Sequence, residues 1–67
     1  MEFQVDDIVR VVKDPDDWPA ELTSRVGQTG TVVALNYLAE GVLYYVAFQQ
    51  PWKNAHGYLA NDLLKED

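Results

Sequence analysis

The 67 residues carry five Lys and Arg against eleven Asp and Glu, a formal charge of −6, and no cysteine. That balance excludes a disulfide framework or thiolate site and lacks the clustered basic residues a phosphate-binding surface normally needs. Hydrophobic residues make up 48% of the chain and aromatic residues 12%, which argues for one folded domain, residues 1–67, near the lower size limit for an unaided core.

No apolar run approaches the length of a membrane span. Met1-Glu2-Phe3-Gln4 has neither the basic start nor the hydrophobic segment of a signal peptide, so a soluble cytoplasmic protein with no membrane partner is expected. The acids crowd the ends: Glu2, Asp6, Asp7, Asp14, Asp16, Asp17 and Glu21 near the start, and Asp62, Glu66 and Asp67 at the close. Between Leu22 and Asn61 the charged residues are Arg25, Glu40 and Lys53. A neutral, aromatic middle with acidic ends suits a partner-facing surface with a soluble rim, although acids are also what keeps a small apolar domain dissolved.

In chain order, Glu2 to Asp6 reads as a lead-in whose Phe3 and Val5 close one end of the core. Asp7 to Lys13 is the first strand, with Val9 and Val11 inward, Arg10 toward solvent, and Ile8 and Val12 partly covered by the following loop. Asp14-Pro15-Asp16-Asp17-Trp18-Pro19 ends it, because proline lacks the ladder donor and aspartate favours turns. Pro19 to Arg25 is predicted to form about one helical turn anchored by Leu22. Arg25 to Gly30 is a turn whose two glycines supply backbone angles that other residues resist.

Thr31 to Asn36 is the second strand and Val42 to Phe48 the third, joined through Tyr37 to Gly41 as a β-hairpin. In the third strand Val42, Tyr44, Val46 and Phe48 share one face, and Leu43, Tyr45 and Ala47 the other. Neither face is polar, so this strand needs a second cover from the chain's own loops or from another molecule. Gln49 to His56 is a second loop, and Gly57 to Leu59 a short fourth strand. Ala60 to Leu63 reads as a 3₁₀ turn, and Leu64 to Glu66 as a fifth strand. Five short strands with a long first loop describe an all-β, five-stranded SH3-like barrel, whose closure would remove exposed edges.

The order Val-Asp-Asp-Ile-Val-Arg-Val, Val-Gly-Gln-Thr-Gly-Thr-Val-Val, Tyr-Val-Ala-Phe and Gly-Tyr-Leu-Ala-Asn-Asp-Leu resembles the SH3-like small β-barrel superfamily. The likeness is to its accessory-subunit members: the photosystem I subunit PsaE, the variable chain of ferredoxin-thioredoxin reductase and the nitrile hydratase β-subunit. It covers nearly the whole chain and implies a docking role. The ferredoxin-binding members present basic residues to an acidic partner, whereas this chain is at −6. The Gly27 to Val33 segment also resembles a KOW motif, which implies a nucleic-acid, ribosome or transcription-associated module. A second alternative is a small oligomeric enzyme of the type II dihydrofolate reductase kind, since these resemble the same SH3-like barrels and tetramerise around one active-site pore, but of their Val-Gln-Ile-Tyr signature only Tyr58 is matched here.

Candidate chemistry is sparse, and no catalytic, cofactor-binding or metal-binding residue is expected. His56 has no second base or nucleophile at a motif spacing. Asp14, Asp16 and Asp17 lack the glycine and the closing glutamate of a calcium loop. Trp18 and Trp52 each sit beside a proline in loops that can flank one groove of such a barrel. They either plug the barrel ends or join Tyr45 and Tyr58 in a cluster with the composition of an interface hot spot. The expected function is that of a non-catalytic protein-interaction module or accessory subunit. It would bind a protein partner or a second copy of itself through Trp18, Tyr45, Trp52 and Tyr58, with Leu43 and Ala47 as apolar filler. Nucleic acid is an unlikely partner at this charge.

Overall fold

The computed structural model describes residues 3–48 and 55–66. They form one antiparallel sheet of five strands: β1 (Ile8–Val11), β2 (Thr29–Leu38), β3 (Gly41–Ala47), β4 (His56–Leu59) and β5 (Leu63–Lys65), with a 3₁₀ turn at Ala60–Asp62 before the last strand. The spatial order is β4-β3-β2-β1-β5. All-β character, the five strands and the 3₁₀ turn agree with the sequence reading. Closure does not: β4 and β5 are the two edges and are not hydrogen-bonded to each other, so the sheet is not a closed barrel. The three-residue turn nonetheless holds the edges together in space, which requires the sheet between them to curl.

The hairpin of β2 and β3 is the longest pairing and runs from Thr31 opposite Ala47 to Leu38 opposite Gly41. Its connection is shorter than the predicted Tyr37 to Gly41 loop, since only Ala39 and Glu40 lie outside the strands. Gly41 takes a φ of +145° just after them. The register shifts between Val32 and Ala34, leaving Val33 as an extra residue. That bulge moves the inward side by one position, so Val32 and then Leu35, three residues apart, face the core. Strict alternation would have placed Ala34 there.

The core holds Phe3, Val9, Val11, Val32, Tyr44, Val46, Tyr58 and Leu63, with Trp18, Leu35, Val42, Phe48 and Ala60 packed against it. Phe3 closes one end as expected, its ring edge-on to Tyr44 at 5.2 Å. Val5, predicted beside it, is exposed, as are Ile8 and Val12 at the ends of the first strand. No helix forms between Pro19 and Arg25; the segment has one turn bond, from the Leu22 N–H to the Pro19 carbonyl at 3.1 Å. Leu22 is exposed and anchors nothing. Arg10 does not simply face water: its Nε donates to Glu66 Oε2 at 2.8 Å and its Nη1 to the Gly27 carbonyl at 3.0 Å. The Arg10 bond holds the Glu66 carboxyl below its ordinary range.

The two glycines of the Arg25 to Gly30 turn serve different needs. Gly27 has a φ of +92°, the conformational role expected of it. Gly30 is instead required for space, because a β-carbon there would stand 2.7 Å from both the Ala47 carbonyl oxygen and Val46 Cγ1. A backbone oxygen cannot swing aside, so Gly30→Ala is expected to destabilise the fold by roughly 2 kcal/mol or more, read as a lowered denaturant midpoint. A midpoint equal to wild type would show that β2 does not press against β3 at this point.

Candidate functional site

Pleating divides β3 and β4 into an inner and an outer side. On the inner side Tyr44 and Val46 of β3 and Tyr58 of β4 are fully buried. Trp18, from the loop after β1, stacks on Tyr58 at 5.8 Å and meets His56 edge-on at 5.0 Å. Phe48 meets Tyr58 edge-on at 6.0 Å, and the Arg25 guanidinium lies 5.0 Å from the Phe48 ring centre. This aromatic stack is the packing of one end of the core. Burial, reinforced by the Arg25 charge, pushes the His56 imidazole below its ordinary value, as fits a ring packed on an indole.

On the outer side the same strands present Leu43, Tyr45, Gly57 and Leu59. Leu43 lies opposite Leu59 and Tyr45 opposite Gly57. Gly57 has no side chain to fill its place, and Leu43 leans over it: a β-carbon at position 57 would come within 3.0 Å of the Leu43 side chain. These residues floor a groove of about 610 Å³ that continues to Leu38 at the hairpin end. Its walls come from the loop after β1, through Lys13, Pro15, Asp16 and Asp17, from Glu40 of the hairpin turn, and from Asn61 and Asp62 of the 3₁₀ turn. Leu43 and Tyr45 are partly exposed; Leu38 and Leu59 are exposed at 38% and 41%.

Asp62 shapes one end of this groove. It is 2% exposed, and its Oδ2 accepts the Leu59 N–H at 3.2 Å while Lys13 Nζ lies 3.3 Å from its Oδ1. Its carbonyl accepts the Val12 N–H at 2.8 Å. Lys13 also reaches Asp16 at 3.4 Å, and the two carboxylates, Asp62 foremost, raise its ammonium above the ordinary value. Neither Asp17 nor Glu40 has an ion-pair partner among the described residues.

Of the residues expected to make contact, the structure brings Leu43 and Tyr45 together on the groove floor. Tyr58 and Ala47 are not surface residues: they are 0% and 2% exposed. Alternation along β4 turns Tyr58 inward, and Ala47 sits where Gly30 presses on β3. Trp18 is half-buried with its indole nitrogen enclosed, so it packs the core end and does not stand beside Tyr45. Trp52 and the Gln49 to Asn54 part of the second loop lie outside the described residues. The groove residues Leu38 and Leu59 were not anticipated. Leu59 was findable as the alternate neighbour of an inward tyrosine, whereas Leu38 was hidden by assigning it to a loop.

Among the described residues no group of three His, Cys, Asp or Glu is placed to hold a metal ion, and no helix is long and apolar enough to cross a membrane. Compared with known protein families, with curated proteins and with solved structures, the chain matches none.

Both the Tyr58 hydroxyl and the Trp18 Nε1 are buried with no hydrogen-bond partner among the described residues. Burial, with the nearby Asp14 carboxylate, pushes the Tyr58 phenol up to about 12. Since its folded value lies above the unfolded value near 10, the unfolded chain loses the proton first, and stability falls as pH rises from about 10 to 12. Tyr58→Phe is expected to fold with unchanged or slightly higher stability at neutral pH, because it removes an orphaned hydroxyl. It should also fall less steeply above pH 10, as measured by denaturant unfolding across that range. A loss above about 1 kcal/mol at neutral pH would mean that the hydroxyl is bonded.

Proposed function

We propose that this chain is a non-catalytic docking module of SH3-like type, a small interaction domain or accessory subunit that binds a protein partner through the groove on the outer side of β3 and β4. The observation that carries the proposal is the contrast between the two sides of β3: Tyr44 and Val46 are sealed, while Leu43 and Tyr45 line an open groove with Leu38 and Leu59. Apolar side chains gathered in a concave surface with a charged rim have the anatomy of an interface core and its surround. Tyrosine at the centre is the residue type that most often supplies the contact energy.

The SH3-like reading has its own support. The five short strands, the long connection between β1 and β2 and the 3₁₀ turn before β5 are the features on which that reading rests, here in a form left open between the edge strands.

The test is to identify the protein retained by the immobilised chain, purify it, and measure its affinity for wild type, Tyr45→Ala and Leu43→Ser. Both positions are partly exposed, so the variants should keep the wild-type circular dichroism. Tyr45→Ala is expected to weaken binding by roughly 2 kcal/mol, about thirtyfold. Equal affinity of folded variants and wild type would remove the groove from the interface.

A further inference from the structure

We infer that the occupant of the groove is a basic polypeptide segment, one whose aliphatic side chains rest on Leu43, Tyr45 and Leu59 while flanking Lys or Arg residues meet Asp17 and Glu40. The inference rests on the docking reading and adds the chemistry of the partner.

The charges around the groove are lopsided. Among the described residues four carboxylates line it, those of Asp16, Asp17, Glu40 and Asp62, against the single ammonium of Lys13. That ammonium is already committed, 3.3 Å from Asp62 and 3.4 Å from Asp16. Asp17 and Glu40 remain, contributed by two separate segments of chain and joined to no cation among the described residues. An apolar floor beneath uncompensated carboxylates attracts cations and rewards burial of carbon, and the partner that supplies both is a chain mixing Lys or Arg with aliphatic residues.

The same charges disfavour the other occupants. A second copy of this chain would bring a net −6 and the same carboxylates to the contact, and like charges set opposite each other are unfavourable. Nucleic acid and anionic membrane surfaces are repelled for the same reason.

The experiment titrates the isotopically labelled full chain with three synthetic peptides of roughly ten residues, each with the same two leucines and about four lysines, four serines or four glutamates. The lysine peptide is expected to shift the amide signals of Leu43, Tyr45 and Leu59 and to bind at least about tenfold more tightly than the serine peptide at low salt. About 0.5 M salt, or the double substitution Asp17→Asn with Glu40→Gln, should remove that advantage. Equal binding of the three peptides at the groove, insensitive to salt, would overturn the basic partner and leave the docking reading in place. A lysine peptide that shifts only signals away from the groove would overturn it likewise. Failure of all three to shift any groove signal would overturn both.

Discussion

The inner side of β3 and β4 is filled by large rings, while their outer side is the floor of a groove. Tyr44 and Tyr58 are both sealed, and at about 25 cal/mol per Å² over the roughly 150 Å² or more that such a ring buries, each contributes about 4 kcal/mol as an upper bound. Trp18 is drawn in from the first loop to complete that packing. Among the described residues no helix or second sheet lies over Leu43, Tyr45 and Leu59. A loop and two turns of the described residues stand along its margin, and the result is a groove.

The margin is held by one buried carboxylate. Asp62 receives the Leu59 N–H and the Lys13 ammonium on its side chain and the Val12 N–H on its carbonyl. It thereby ties the end of β4, the start of the first loop and the turn leading to β5. Charge pairs of this kind add little when exposed, but a buried carboxylate left alone is strongly unfavourable, and the Leu59 N–H and the Lys13 ammonium both offset that cost. Among the described residues the groove thus has its cation paired at one end, while Asp17 and Glu40 elsewhere have no ion-pair partner.

Much of the fold was legible from residue order alone. β-branched and aromatic runs marked the strands, and the alternation of Val42 to Phe48 separated Tyr44 and Val46 from Leu43 and Tyr45 as the structure does. Three features escaped for distinct physical reasons. The bulge at Val33 breaks the period of two, which no count of alternating residues detects. Gly30 was read as a conformational glycine, but the reason for it is the Ala47 carbonyl, a contact made across the hairpin. Tyr58 reads as a contact residue from its aromatic character alone, because a strand as short as Gly57 to Leu59 does not show which side its middle residue takes, and only the pairing of β4 with β3 settles it. The groove itself was half legible: its floor was visible as the second apolar side of β3, while its acidic walls come from segments that only folding brings together.

The central claim is that Leu43 and Tyr45 are reached by solvent on the groove floor while Tyr44 and Val46, their neighbours in sequence, are not. Relaxation of side-chain proton signals by a soluble paramagnetic chelate measures this most directly, since the effect falls steeply with distance from the solvent. The account predicts strong broadening of Leu43, Tyr45 and Leu59 with sharp signals for Tyr44, Val46 and Tyr58. Equal protection of Leu43 and Tyr45 with Tyr44 would contradict it.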